Sequence, residues 1–495
     1  MKKYLITFFI LIILFPSALA AANIITAGSA DDVVYTESTI TGDPREADGI
    51  KVNLDLHLDD NLFWNIGVTL GEEIEEDVDF RFDYNPPRYV SDPAPSFHLG
   101  FGFNSFGASA SGNLLDGEHE MFGMYEAVAD VASRTPDGEE HTENIRLADF
   151  YENYPLNADI RIGDFNHDTN HMSNYAEAKY ADMIKTIEDY FSRHFRFPVL
   201  DGDIQTVSVR KRADGTVESV HANPADTDSR IYLDTYSAVS DDAIYFTCIP
   251  RSDQDGQLPY TSDTEFGLYR IPYETTEMKT PQMYDSDEYT DIRISETELV
   301  HPLDSSREIC EMTLSEDERE LYIAAKMTSG ETSEVLLTVF DCENMSVKQD
   351  TVIFSCGADD SVILEYADTD FMVYKINWIT FAVLENSSGE WKTNFTVTDQ
   401  TVTDYWSNQT YVTSSYGYGF DYDGERLAVM GCSNERGGSY DIAESYLSSF
   451  YISVYSEKGN LYTGKFTSSL DTGTHLRYNY MNKPTDRYKP SIRLP

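Results

Sequence analysis

The 495-residue sequence predicts a mainly β protein with a β-sandwich-like N-terminal domain, one amphipathic helix and a C-terminal region of repeated antiparallel sheets. Three observations support this fold class. Apolar and polar residues alternate in the first part of the chain, one segment repeats at helical spacing, and similar strand pairs recur after residue 199. Hydrophobic residues make up 41% of the chain, enough to form folded cores despite a formal net charge of −50.

The acidic composition restricts the partners of the protein. The chain has 36 Lys and Arg residues against 86 Asp and Glu residues. This excludes nucleic acid, because phosphate backbones are bound by clustered basic residues. Anionic membrane surfaces are disfavoured for the same reason. The expected partner is therefore a protein or a small ligand.

Residues 1–22 predict export from the cytoplasm. Lys2 and Lys3 precede the apolar run Leu5–Phe15, and Ala18-Leu19-Ala20 has the small-x-small form of a signal-peptidase site. No charged residue occurs between Lys3 and Asp31, so an uncleaved segment is long enough to span a bilayer. The sequence leaves a signal peptide and an N-terminal membrane anchor as alternatives. In both cases the protein is extracytoplasmic, either secreted or anchored to the cell membrane.

Residues 31–160 predict β strands with one buried face. Every second residue of Lys51–Leu58 is apolar, and the same alternation occurs in Phe97–Phe103. Ala127–Ala132 and Ile145–Phe150 flank a turn sequence and predict a long hairpin. A short helix over Met121–Ala132 is the alternative.

Residues 161–198 predict a polar loop followed by an amphipathic helix. The helix begins near Asn174, its apolar positions repeat at intervals of three and four, and Phe197-Pro198 ends it. We expect it to pack between the β regions or against one sheet.

The polar loop contains the one candidate metal site in the sequence. Asp164, Asn166, Asp168 and Asn170 occupy alternate positions, as the oxygen donors of calcium-binding loops do. Thr169 replaces the usual glycine, so a solvated loop that caps the following helix is the alternative. The sequence predicts no cofactor apart from this calcium hypothesis, and the solvated loop is the favoured interpretation.

Residues 199–495 predict repeated strand pairs. Leu314–Ala324 aligns with Phe420–Met430: each has a polar turn, centred on Asp317 or Asp423, followed by an alternating strand. Related pairs begin at Asp242, Thr338, Phe381 and Ser453. Such units cannot bury both faces alone, so they must stack or close into a ring.

This pattern resembles the repeats of WD40-like and TolB-like β-propellers, in which each blade is a four-stranded antiparallel sheet. The resemblance covers residues 200–495 and implies a β-propeller-like domain over 199–495. A pair of β-sandwich domains is the alternative. The chain also resembles uncharacterised exported proteins of Gram-positive anaerobes, in the stretches Thr41–Ile50 and Tyr151–Leu156.

The sequence contains none of the common catalytic motifs. It has no GxSxG elbow, no HExxH zinc helix and no GxxxxGK[ST] phosphate loop. The five cysteines have no metal-binding spacing and predict buried thiols, with a Cys342–Cys356 disulfide as the alternative.

We therefore expect an exported, non-enzymatic binding or scaffold protein that presents a propeller surface to a protein or ligand at the cell envelope. One alternative is a secreted glycan or peptide hydrolase that uses carboxylates on a propeller. The other is a self-associating structural protein of the cell surface.

Overall fold

Antiparallel β strands form most of the regular structure in the described part of the chain, which confirms the mainly β, propeller-like fold class. The computed structural model describes residues 33–58, 62–82, 95–101, 106–109, 111–115, 124–162, 165–167, 187, 190–225, 231–252, 256–257, 266–279, 288–304, 306–377, 379–398, 417–432, 449–469 and 491–495. Within these residues, no helix has the length and apolar character needed to cross a membrane.

The strands before residue 240 are β1 (Tyr35–Gly42), β2 (Lys51–Leu58), β3 (Leu62–Thr69), β4 (Glu75–Phe82), β5 (Ser96–Phe101), β6 (Phe106–Ser109), β7 (Glu140–Arg146), β8 (Leu156–Ile162), β9 (Phe165–His167), β10 (Ile204–Lys211), β11 (Val217–Pro224) and β12 (Ile231–Val239). Helix α1 (Tyr125–Arg134) lies between β6 and β7.

The later strands are β13 (Ala243–Ser252), β14 (Gly256–Gln257), β15 (Gly267–Lys279), β16 (Glu288–Ile294), β17 (Glu298–Pro302), β18 (Arg307–Leu314), β19 (Glu320–Ser329), β20 (Thr332–Asp341), β21 (Val347–Gly357), β22 (Val362–Ala367), β23 (Phe371–Ile376), β24 (Thr380–Ser387), β25 (Glu390–Thr398), β26 (Gly417–Tyr422), β27 (Arg426–Cys432), β28 (Ser449–Ser456), β29 (Gly459–Ser468) and β30 (Ser491–Arg493).

The chain divides into two compact units. The first comprises Met1–Ser91, Gly330–Ser333 and Ile353–Pro495, and the second comprises Asp92–Ser329 and Glu334–Val352. In the first unit, the ends of the chain share sheets: β1 pairs with β29 in the order β1-β29-β28-β27-β26, and β30 pairs with β2 in the order β30-β2-β3-β4. Strands β1 and β2, which lie in the predicted N-terminal domain of residues 31–160, thus pair with β29 and β30.

The repeated strand pairs predicted after residue 199 are hairpins within antiparallel sheets of four to six strands. Strands β18–β21 form one up-and-down sheet, and β22–β25 form another. At the β26–β27 turn, the Asp423 carboxylate accepts hydrogen bonds from the backbone N–H groups of Glu425 and Arg426, at 3.0 and 2.7 Å. Asp368 does the same for Asp370 and Phe371 before β23, so an aspartate turn precedes both β23 and β27.

The hairpin predicted around residues 127–150 is wrong, and the alternative helix is confirmed. Helix α1 buries Ala127, Val128, Val131 and Ala132, whose spacing of one, three and four fits a helical face. Strand β7 pairs with β10 in a sheet of order β6-β11-β10-β7, and α1 contacts both of these strands.

The amphipathic helix predicted before Pro198 is also present. Residues 187 and 190–194 are helical, and the earlier part of the predicted helix lies outside the described residues. Phe191 lies 5.5 Å from Phe97 of β5 between ring centroids, and Phe195 lies 5.6 Å from Phe246 of β13. The apolar face of this helix therefore packs against two sheets of the second unit.

Candidate functional site

Most of the predicted calcium ligands cannot be placed. Asp164, Asp168 and Asn170 lie outside the described residues, and the backbone of Asn166 in β9 pairs opposite Arg161 in β8. Calcium binding by this loop stays a prediction, which titration calorimetry with calcium chloride tests. Among the described residues, no group of three or more His, Cys, Asp or Glu side chains is placed to hold a metal ion.

Strands β5, β12 and β18 lie close together in the second unit. Each is an edge strand of a different sheet. Thr235 and Ser237 of β12 donate hydrogen bonds to the carbonyl oxygens of Leu99 and Phe97 in β5, both at 2.6 Å. Because successive side chains of a strand point to opposite faces, the adjacent residues Asp234 and Tyr236 point away from these bonds. We call β5, β12 and β18 the first strands.

Two of the first strands, β12 and β18, each carry an acidic residue that forms an ion pair with a basic residue of the neighbouring strand. Arg251 Nε in β13 lies 2.9 Å from Asp234 Oδ2 in β12. Lys326 Nζ in β19 lies 3.4 Å from Glu308 Oε2 in β18, and these two residues are direct neighbours in the strand register. We call these four residues the paired-charge cluster.

The bases of the paired-charge cluster lie deeper than the acids. The side chain of Lys326 is 9% exposed and that of Glu308 is 49% exposed. Arg251 and Asp234 show the same order, at 18% and 24%. A long basic side chain buries its methylene groups against apolar neighbours and brings its charge under the carboxylate. The acid is therefore the more exposed member of each pair.

The electrostatic environment of the cluster disfavours further negative charge. Burial raises the pKa of the Asp234 carboxyl above its usual range, Arg251 opposes this shift, and the nearby charge of Glu308 adds to it. Burial also raises the pKa of the Tyr236 hydroxyl, and the charges of Asp234 and Glu308 contribute in the same direction. A positively charged group beside these two carboxylates would relieve their mutual repulsion.

The second unit also contains an open groove and two thiols. An open groove of 570 Å³ lies on the β7–β10–β11 sheet, but its Arg210 and Glu140 side chains are paired with each other at 2.7 Å. The thiol of Cys248 is buried, as predicted, and Cys342 is a thiol rather than half of the alternative Cys342–Cys356 disulfide.

Sequence reasoning did not find the paired-charge cluster, although a signal for it exists. Lys326 directly follows the buried run Leu321–Ala325, and a buried charged residue needs a partner of opposite charge. The partner, Glu308, is fixed only by strand register, which the sequence does not reveal.

Comparisons with known proteins identify no family for the chain. No protein-family model and no curated protein matches it. It is similar to one chain of a crystal structure of the mitotic checkpoint complex, with 10% identity and a TM-score of 0.21, over 49% of this chain and 56% of that one. It is also similar to prolyl oligopeptidase B from Galerina marginata, with 8% identity and a TM-score of 0.19, over 67% of this chain and 45% of that one. The chain spans about half the length of these two solved chains.

Proposed function

We propose that the protein is an exported binding protein whose paired-charge cluster binds a positively charged group of a protein or small ligand at the cell envelope. The observation that carries the proposal is that Asp234 and Glu308 lie close together and are more exposed than their partners Arg251 and Lys326. Their carboxylates are accessible to a cationic ligand.

The charge of the whole chain favours the same class of ligand. A net charge of −50 attracts cations over long distances and raises their association rate at low salt. The bases beneath Asp234 and Glu308 hold the two carboxylates in place before the ligand arrives, which lowers the entropic cost of binding. Binding rather than catalysis is proposed because both acids already have ionic partners.

A titration with a trilysine peptide amide tests the binding role. Isothermal titration calorimetry at low salt should show binding, and Asp234→Asn and Glu308→Gln should each weaken it about tenfold, which corresponds to about 1.4 kcal/mol. Glu390→Gln is the matched control, because the Glu390 side chain is 52% exposed and also pairs with a lysine, Lys392, outside the cluster. This control should leave the affinity unchanged.

Two results would contradict the proposal. Absence of binding by the wild-type chain, or equal weakening by Glu390→Gln, would exclude a specific cation site at the cluster. Cleavage of the peptide during the titration would replace the binding role by a hydrolase role. Export is tested separately by cell fractionation, and recovery of the protein from the cytosol would contradict it.

A further inference from the structure

Asp203 is a half-buried carboxylate that lacks a basic partner. It lies in the turn that leads from the helix of residues 190–194 to β10, and its oxygens accept hydrogen bonds from two neutral donors. The Tyr154 hydroxyl donates to Oδ2 at 2.9 Å, and the Gln205 amide donates to Oδ1 at 3.3 Å. Among the described residues, no Lys, Arg or His side chain forms an ion pair with Asp203. We call Tyr154, Asp203 and Gln205 the Asp203 cluster.

The Asp203 cluster attaches this turn to two other parts of the second unit. Tyr154 is 3% exposed and precedes β8, whereas Gln205 lies within β10. The Tyr154 hydroxyl also accepts a hydrogen bond from the Leu200 N–H at 3.2 Å, and the Asp203 N–H donates to the Leu200 carbonyl at 3.0 Å. The charge on the Asp203 carboxyl therefore affects how firmly residues 200–203 are held.

One polar atom of the cluster has no hydrogen-bond partner. Gln205 is 0% exposed, and its Oε1 atom has no donor among the described residues. An unbonded carbonyl oxygen in the interior destabilises the folded chain. Oε1 belongs to the same amide group as the nitrogen that contacts Asp203, so the carboxyl lies beside it. An ionised carboxylate has no hydrogen to donate to this oxygen, whereas a protonated carboxyl has one.

The surroundings of Asp203 favour the protonated form more than water does. Burial raises the pKa of the Asp203 carboxyl above its usual range, and the bonds from Tyr154 and Gln205 oppose this shift. A tyrosine hydroxyl stays protonated in neutral and acidic solution, so Tyr154 remains a donor when Asp203 titrates.

The charged residues near the turn have other partners or are exposed. Arg146 of β7 lies opposite the residue that follows Asp203, and it pairs with Asp149 at 3.4 Å. Glu152, whose backbone carbonyl accepts the N–H of residue 199, is exposed, and so is Asp201 in the turn itself. Asp203 is thus the titratable carboxyl that touches the buried amide.

We propose that the Asp203 cluster is an acid-sensitive switch that holds residues 200–203 more firmly when Asp203 is protonated. The proton comes from solvent, and the new hydroxyl donates to Gln205 Oε1 while Gln205 Nε2 continues to donate to the carboxyl. A carboxylic acid and a primary amide can form both bonds at once, because each carries a donor and an acceptor. This inference is independent of the proposed cation binding.

Asp203→Asn tests the switch because its amide is uncharged and carries a donor, as the protonated carboxyl does. We expect it to melt about 2–4 °C above the wild type at pH 7. The difference should shrink as the pH falls towards 4. The folded pKa of Asp203 lies above the unfolded value of about 3.9, so the cost of its charge is lost as the pH falls through the folded pKa.

Asp201→Asn is the matched control, because Asp201 is exposed in the same turn and its substitution removes the same charge. It should melt as the wild type does at each pH. An Asp203→Asn protein that melts no higher than the wild type at pH 7, or a difference that stays constant down to pH 4, would overturn the switch.

Hydrogen exchange separates the switch from a general change in stability. After correction for intrinsic exchange rates, amides of residues 199–203 should be protected several-fold more at pH 5 than at pH 7 in the wild type. Asp203→Asn should show the higher protection at both pH values, and Gln205→Leu, which lacks the acceptor, should show no increase. Equal protection of the wild type at both pH values, or an increase that persists in Gln205→Leu, would overturn the proposal.

Discussion

The ammonium group of Lys375 lies 3.1 Å from the carboxylate of Glu365, with the lysine side chain 1% exposed and the glutamate side chain 20% exposed. This pair joins β22 and β23 of the first unit. It repeats the depth order of the paired-charge cluster, with an acid in the strand that begins a sheet and a deeper base in the next strand. Both units therefore contain an ion pair in which the basic side chain is more buried than the acidic one.

Removal of the acidic partner of the Lys375–Glu365 pair should destabilise the protein. Glu365→Gln removes the negative charge facing a buried ammonium group, and we expect it to lower the free energy of unfolding by about 2–3 kcal/mol. Replacement of both residues, as Glu365→Leu with Lys375→Met, should cost much less, because no buried charge remains. Urea denaturation measures both changes, and equal losses would contradict a role for the charge.

Asp350 should make the stability of the second unit depend on acid pH. Hydrogen bonds from Arg307 at 2.9 Å lower the pKa of the Asp350 carboxyl below its usual range. Its stabilisation is therefore present above the unfolded pKa of about 3.9 and is lost as the pH falls through the lower folded pKa. Asp350→Asn should melt earlier than wild type at pH 7, and the difference should shrink below about pH 4. A constant difference across this range would contradict the assignment.

Cation binding should weaken in mild acid because the pKa of Asp234 is raised by burial. A raised pKa means that Asp234 gains its proton at a higher pH than an exposed carboxyl, whose usual value is about 3.9. The affinity for trilysine amide should therefore fall as the pH decreases from 7 towards 4. In Asp234→Asn the weaker affinity should change less over the same range. Parallel pH profiles for the two proteins, measured by calorimetry, would contradict this.

Two thiols should resist alkylation in the folded protein. Burial raises the pKa of Cys248 to about 12 and that of Cys342 to about 11. Only the thiolate reacts with iodoacetamide, so both residues should be modified far more slowly in native protein at pH 8 than in guanidinium chloride. Peptide mass spectrometry after timed quenching gives the rate at each residue. Equal native and denatured rates would contradict the burial of these thiols.

Gly464 should be essential for attaching β1 to its sheet. A Cβ atom at this position would overlap the hydroxyl of Tyr462, which donates a 2.8 Å hydrogen bond to Glu37 of β1. We expect Gly464→Ala to lower the free energy of unfolding by about 2–3 kcal/mol through overpacking. Hydrogen exchange should show the largest loss of protection in Tyr35–Gly42. Gly67→Ala, which has room for the added methyl group, is the control.

The sequence was most informative where structure depends on local periodicity. The alternation at Val52 and Leu54 predicted buried positions, and both are buried. The three-and-four spacing around Ile187 and Phe191 predicted a helical face, which packs as expected. The sequence around Val128 fits both a helical and a strand pattern. A helix is the form that buries Ala127, Val128, Val131 and Ala132 on one side.

Structure that depends on distant pairing was not predictable from the sequence. Val52 pairs with Ile492, and no local pattern identifies partners so far apart. The candidate site depends on the same kind of information, because Glu308 meets Lys326 only through strand register. The calcium prediction for Asp164, Asn166, Asp168 and Asn170 awaits its titration.

The pairing of β30 with β2 sets an order for folding during synthesis. The ribosome makes Lys51–Leu58 more than 400 residues before it makes Ser491–Arg493, so the first unit cannot complete this sheet until residue 493 has emerged. Pairings this remote in sequence also slow folding, because a long loop must close first. The core of the first unit is therefore completed later in synthesis than its N-terminal strands are made.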